Sequence, residues 1–302
     1  MLATPRFHHL HLNSVDPAAA IGFYTRVFAS TSAGSWEGFP ALQSPNDVLV
    51  LFTKVDAPPP SEPQSAIWHF GWHVGDARAT LEAYRGRAEI KLLPLYTSDD
   101  GGSVLISSDT WPNPPGRIGR TKAEMAEAIA AGVAPPRRGG FAYLEGPDAA
   151  LVEYAGDYDQ ERFNHVHLYQ EDPLAALRWY QEHLGAAPRG SFGPTGTGEP
   201  APTQRTWPAL EPGGMLRSPR AGVEFGDVSM MWYPNQGDRP LVSPLGQFQD
   251  HIGLSVGDLD AWVDKLKGEG VTILDGPYKL GDTRAVMIEG PSREAIELVE
   301  VK

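Results

Sequence analysis

One stretch of this chain is written twice. The run His9-Leu-His-Leu-Asn-Ser-Val-Asp16-Pro-Ala-Ala-Ala-Ile-Gly-Phe-Tyr24 aligns without a gap on His165-Val-His-Leu-Tyr-Gln-Glu-Asp172-Pro-Leu-Ala-Ala-Leu-Arg-Trp-Tyr180. A second pair lies between and beyond these. His69-Phe-Gly-Trp-His-Val-Gly-Asp76 aligns on His251-Ile-Gly-Leu-Ser-Val-Gly-Asp258, and Gly146-Pro-Asp-Ala-Ala-Leu-Val-Glu153 aligns on Gly290-Pro-Ser-Arg-Glu-Ala-Ile-Glu297. The order is therefore A, B, A, B. A repeat of this kind makes each copy one supersecondary unit, which must bury its apolar face on another copy.

Each copy opens with alternating polar and apolar residues, the period of a half-buried strand. An Asp then stands at a helix N-cap, and in the A copies Pro follows at the first helical position. Helices are expected over 17–28 and 173–184, the second ending at Gly185, and near 77–86 and 259–268. Strands are expected at 47–53, 140–144, 150–155, 228–233, 285–288 and 295–301. The pattern is β-α-β-β-β four times, an α+β chain. Its 302 residues suggest two domains, 1–157 with modules 6–56 and 67–157, and 158–302 with modules 162–234 and 249–302. Two segments, about 97–139 and 188–222, exceed the module length. Thr121-Lys-Ala-Glu124 in the first is a capping box opening a short helix. Loops this long are usually lids or disordered segments.

Composition narrows the chemistry. The net charge is −13 with no basic block, which argues against nucleic acid or an anionic membrane as partner. No run of about 18 apolar residues exists to span a bilayer. The N-terminal MLATPRFHHLHL lacks the layout of a secretory signal, so a cytoplasmic location is expected. There is no cysteine, which removes disulfides, thiolate nucleophiles and Cys-ligated metals. Any metal must be held by His, Asp or Glu. No Gly-rich phosphate loop and no nucleophile elbow is present, so neither nucleotide nor flavin is expected.

With the His-to-Asp opening of each module, the aromatic–Tyr pair on the first helix and the Gly-Pro turn leading to a Glu, the chain resembles the vicinal oxygen chelate superfamily. That superfamily includes glyoxalase I, bleomycin-resistance proteins, fosfomycin-resistance transferases and type I extradiol dioxygenases. The resemblance implies paired modules forming half-closed, cup-shaped mixed β-sheets with helices outside. It also implies a divalent metal in the cup, held by residues of the first and last strands. Carried over by position, the ligands are His9, His69, His165 and His251 from first strands, with Glu153 and Glu297 from last strands. The last strands of the A copies offer no acid. The four-ligand, two-carboxylate set of glyoxalase I is thus not met, and each cup keeps two His and one Glu. That set leaves adjacent positions open and suits non-haem Fe(II) oxygen chemistry, with Mn(II) or Zn(II) as alternatives. If neighbouring modules pair, the sets are His9, His69, Glu153 and His165, His251, Glu297. If the first module pairs with the fourth, they are His9, His251, Glu297 and His69, His165, Glu153.

Ring-cleaving relatives also use a Tyr ten residues before the carboxylate and an acid–base His. Tyr143 fills the first position ahead of Glu153, whereas Met287 stands ahead of Glu297. No His lies where those relatives place theirs, so His73 and His167 are the candidates for moving protons. His11 shares the face of His9. His8 falls on the opposite parity, where a surface or packing role is expected. The implied function is a metal-dependent, dioxygenase-like enzyme acting on a small oxygen-chelating molecule. The alternatives are a non-redox isomerase, lyase or epoxide-opening transferase, and a metal-free binding protein whose walls include Trp36, Trp68, Trp72, Trp179 and Trp232. A homo-oligomer is compatible with all three.

Overall fold

The computed structural model describes residues 2–97, 103–107, 122–133, 138–189, 220–235, 237 and 239–301. The first module runs β1 (Arg6–Ser14), α1 (Pro17–Val27), β2 (Ser32–Trp36), β3 (Phe39–Gln43) and β4 (Leu49–Lys54). The second has β5 (Ile67–His73), α2 (Ala77–Arg85), β6 (Lys91–Leu93), then β7 (Tyr96–Thr97), β8 (Ser103–Val104) and α3 (Lys122–Ala130) in the long insertion. It closes with β9 (Phe141–Glu145) and β10 (Leu151–Ala155). The third is β11 (Arg162–Gln170), α4 (Pro173–Leu184), β12 (Ala187–Pro188), β13 (Ala221–Phe225) and β14 (Val228–Pro234). The fourth is β15 (Gln249–Val256), α5 (Leu259–Gly268), β16 (Ile273–Leu280), β17 (Thr283–Glu289) and β18 (Ala295–Glu300). The helix expected from the capping box is α3, although Thr121 itself lies outside the described residues, as do 190–219 of the second insertion.

Local chemistry explains the helix starts. Asp16, Asp76, Asp172 and Asp258 each accept a hydrogen bond from a backbone N–H in the first turn, satisfying a donor the helix cannot. Gly185 ends α4 with φ 66°, a left-handed value that costs a residue without Cβ little.

The strands form two eight-stranded mixed sheets, in the orders β16-β17-β18-β15-β1-β4-β3-β2 and β12-β13-β14-β11-β5-β10-β9-β6. In each, two first strands pair antiparallel at the centre (β1 with β15, β5 with β11), and each first strand runs parallel to its own module's last strand. The first module thus joins the fourth, and the second joins the third. Of the two pairings the repeat allowed, the neighbour pairing is the one not adopted. A cut at 157/158 into domains 1–157 and 158–302 therefore separates strands that share a sheet, in both sheets. The physical reason is that the first strand of the chain finds its antiparallel partner in the last module.

Alternation decides what each face does. On β5, Phe70 and Trp72 turn to the helix side, where Trp72 stacks on Tyr24 of α1 and on Phe28 just past its end, while His69, Gly71 and His73 turn to the cup. One buried apolar cluster runs across both sheets through Phe7, Phe70, Trp72, Phe163 and Trp232. Two polar struts also cross between sheets. Glu294, fully buried, accepts hydrogen bonds from Tyr180 Oη at 2.7 Å and Gln170 Nε2 at 2.8 Å. Ser14 Oγ donates to Asp148 Oδ2 at 2.5 Å. Among the described residues no helix is long and apolar enough to cross a membrane.

Because each sheet draws central strands from both halves, residues 1–157 produced alone are expected not to fold cooperatively. Each half would expose the edge of β1, β5, β11 or β15, a row of unpaired backbone groups. Far-UV dichroism and thermal unfolding of fragments 1–157 and 158–302, separate and mixed, test this. A sharp unfolding transition in an isolated, monomeric fragment would refute it.

Candidate metal centres

Three neighbouring strands carry one row of residues in register in each sheet. In the first cup Glu297 on β18 lies beside Gly253 on β15, which lies opposite His9 on β1. In the second cup Glu153 on β10 lies beside Gly71 on β5, which lies opposite His165 on β11. Residues in register share a face, so Glu and His flank a position that has no side chain. A Cβ on Gly253 would overlap the His9 imidazole, and one on Gly71 would overlap that of His165. The remaining histidine, His251 or His69, stands two residues before the glycine on the middle strand and therefore on the same face. A glycine thus makes room for three donors to lean together.

They do converge. In the second cup, His69 Nε2 is 3.1 Å and His165 Nε2 3.7 Å from the Glu153 carboxylate, and His167 Nδ1 is 3.8 Å from it. The donors of these four residues all lie within 4.8 Å of one another. In the first cup, His9 Nε2 is 3.4 Å and His251 Nε2 3.8 Å from Glu297 Oε2, and the two Nε2 atoms are 3.3 Å apart. His11 also brings a nitrogen within 4.8 Å of His9 and His251, but its Nε2 is engaged with Thr53 Oγ1 at 2.8 Å. All these side chains are buried. Of the two triads open in the sequence, the structure assembles His9, His251, Glu297 and His69, His165, Glu153.

The donor sets fit a divalent metal. The His165 Nε2 is buried with no hydrogen-bond partner, which is costly unless something else occupies its lone pair. Two imidazoles facing one carboxylate across a cradle that a Cβ would fill is the chemistry of a divalent-metal set.

A β-bulge precedes each of His9, His69, His165 and His251, which the alternation in the sequence could not show. Pairing of β1 with β15 skips His8 and Asp250, and pairing of β5 with β11 skips Trp68 and Asn164. A bulge residue turns out of the strict alternation. His8, expected at a surface or packing position, instead sets its Nδ1 2.8 Å from His9 Nδ1. Asp250 accepts from His251 Nδ1 at 2.6 Å, orienting the ring so that Nε2 faces Glu297. Burial works against the Asp250 charge, but the hydrogen bond and charge of His251 outweigh it and hold the carboxyl below the usual range. Trp68 sets its ring edge-on to His69, with centroids 4.1 Å apart. Tyr278, also not identified from sequence, donates its hydroxyl to Glu297 Oε1. It lies 19 residues before the Glu, and only the β16–β17 hairpin brings it back.

The other candidates fall as follows. Tyr143 pairs in register with Glu153, and its ring centroid is 5.3 Å from that of His69. Met287 occupies the matching place beside Glu297. His73 lines the second cup, stacked on Tyr158, and its buried Nδ1 has no hydrogen-bond partner. Of the five tryptophans expected as cup walls, only Trp36 and Trp68 adjoin the histidines. Trp72 and Trp232 are wholly buried on the helix side, because their strand parity points there, and Trp179 packs beside His183 on α4. The second cup encloses about 290 Å³, lined among others by Glu153, His165, His167, Tyr158, Arg189 and Arg220.

Residues 162–298 match the family model described as the Glyoxalase/Bleomycin resistance protein/Dioxygenase superfamily. Among solved structures, the chain is similar to glyoxalase I from Zea mays, with 14% identity, TM-score 0.61, and 98% of this chain and 92% of that one covered. It is also similar to a putative dioxygenase from Bacillus subtilis, with 10% identity, TM-score 0.56, and 99% and 86% covered. At these identities the likeness establishes the fold. No curated protein sequence matches the chain.

Gly71→Ala is expected to lower metal content at the second cup and Gly253→Ala at the first, each with a stability loss of about 1–3 kcal/mol from overpacking. Metal analysis of the purified variants checks this, and full occupancy in both would refute the cradle. A pH effect follows from burial. It holds the imidazoles of His8 and His165 down at about 4, of His11 at about 3 and of His73 at about 2, from 6.5. Unfolding returns them toward 6.5, so below that pH the unfolded chain binds more protons than the folded one. Metal-free protein should therefore be stable above pH 6.5 and lose about 1 kcal/mol per histidine per pH unit as pH falls toward 4. Denaturant unfolding at pH 7.5, 6 and 5 reads this directly.

Proposed function

We propose that the chain is a member of the vicinal oxygen chelate superfamily, whose family model matches residues 162–298, and that it is a divalent-metal-dependent enzyme acting on a small oxygen-chelating substrate, with dioxygenase-like chemistry on Fe(II) as the leading reading. The observation that carries this is the convergence of His69, His165 and Glu153 on one buried point at the wall of a cavity. When bound there, the metal would act as a Lewis acid with open positions for a bidentate ligand and a small co-substrate. Mn(II) and Zn(II) suit the same donors.

The protein's own groups do the rest. Glu153 and the imidazoles of His69 and His165 would hold the ion. His73 offers a buried, unpaired Nδ1 to the cavity, a proton-accepting nitrogen beside the set whose basicity burial lowers. Tyr143 stands next to Glu153 with its ring edge-on to that of His69, and would help fix the orientation of the set. His167 supports a second reading. With its Nδ1 3.8 Å from the Glu153 carboxylate it can serve as a fourth ligand, leaving fewer open positions and favouring non-redox isomerase, lyase or transferase chemistry. The first cup has the same triad, His9, His251 and Glu297, with Tyr278 on the carboxylate.

Metal content per chain after anaerobic purification tests the proposal. About two ions in the wild type are expected, falling to about one in Glu153→Ala and in Glu297→Ala. Iron with oxygen consumption supports the leading reading, and activity persisting without oxygen supports the second. No metal above background under metal-replete conditions would refute both.

A further inference from the structure

The two oxygens of Glu297 have different partners. Oε2 faces Nε2 of His9 at 3.4 Å and Nε2 of His251 at 3.8 Å. Oε1 instead accepts the hydroxyl hydrogen of Tyr278. The strand that brings this phenol is irregular in the way the contact needs. β16 pairs with β17 through Asp275 opposite Met287 and Tyr278 opposite Ala285, so Gly276 and Pro277 stand against Val286 alone. In a regular strand Tyr278, three residues beyond Asp275, would turn to the opposite face from it. The extra residue returns Tyr278 to the face of Glu297, since Met287 and Ala285 lie in register with Glu297 and Val299. Gly276 makes room for the ring. It holds φ 94°, and a Cβ there would lie 2.8 Å from Tyr278 Cδ1. Glu297 is buried and Tyr278 half-buried, so little water competes for the bond.

A carboxylate can hold a divalent ion through one oxygen or through both. Here one oxygen is already engaged, and partners of this kind orient the groups that hold a metal. We propose that Tyr278 is a positioning residue of the first cup, which keeps Glu297 Oε1 turned away so that a bound metal receives Oε2 alone and retains one more open position for substrate. The inference rests on the metal reading above, because it concerns how the carboxylate would meet the ion. It adds a residue from β16, a strand that carries none of the His or Glu of the cluster.

The test uses the full chain carrying Glu153→Ala, which removes the carboxylate of the second cup, loaded with Mn(II). Water-proton relaxation counts the exchangeable waters on the bound ion. An octahedral ion that takes one carboxylate oxygen and two imidazoles keeps about three. Tyr278→Phe keeps the ring and drops the hydroxyl, which frees Oε1 to join the ion. The count should then fall to about two, a loss of about one third of the relaxation enhancement. Gly276→Ala keeps the hydroxyl but displaces the ring. It should give the same fall, and serves if the phenylalanine variant fails to fold. A purely structural role for Tyr278 would lower stability or affinity and leave the count as in the parent. An unchanged count in Mn(II)-loaded Tyr278→Phe therefore overturns the assignment and leaves the metal reading standing. Absence of Mn(II) binding to the Glu153→Ala chain overturns the metal reading of the first cup instead, and this inference with it.

Discussion

The antiparallel pairing of two first strands at the centre of each sheet is the constraint on which the rest depends. It sets His9 opposite Gly253 and His165 opposite Gly71, while parallel pairing on the other side sets each glycine beside its glutamate. A shift of one residue would send every one of these side chains to the helix side. The register is held by what lies on that other face. Phe70, Trp72, Phe163 and Trp232 are buried with no measurable exposure, and moving them into the cup would cost several kcal/mol of apolar burial. The hydrophobic core thus aims the polar ligands indirectly.

The bulges show how a repeated frame was given two characters. Each falls just before a histidine of the cluster, where the strand is freed from strict alternation and the extra side chain can reach the site. In the first cup the two bulge residues are His8 and Asp250, hydrogen-bonded to the rings of His9 and His251. In the second they are Trp68 and Asn164, one apolar against His69 and one donating to the Asp227 carbonyl. Tyr278 on Glu297 adds a hydroxyl to the first set, and Arg189 adds a cation to the second. The two clusters of His and Glu are alike, while the groups around them differ, and such neighbours tune whatever a His/Glu cluster binds.

Joining the first module to the fourth and the second to the third draws the central strands of both sheets from both halves of the chain. Polar struts reinforce this. Glu294 is buried between Tyr180 and Gln170, and burial holds its carboxyl above the usual range despite those hydrogen bonds. A buried acid with satisfied oxygens orients the elements around it, and losing a partner would leave the other polar group stranded.

The sequence by itself determined the modules, the helix starts and the identity of the six ligand candidates. Repetition exposes equivalent positions, an Asp cap is a local hydrogen bond, and strand alternation needs only neighbours along the chain. Only the tertiary structure decided which modules meet, because the same six residues serve either pairing and nothing local favours one. It also decided what alternation hides. His8 and Asp250 come to the ligands through bulges, Tyr278 through a hairpin 19 residues from its glutamate, and Arg189 through a serine on the next strand. Gly71 and Gly253 were plainly present in the repeat, yet their purpose appears only when an imidazole from another strand lies over them. Contacts set by the meeting of distant strands leave no period in the sequence, since their geometry belongs to the pair and not to either strand.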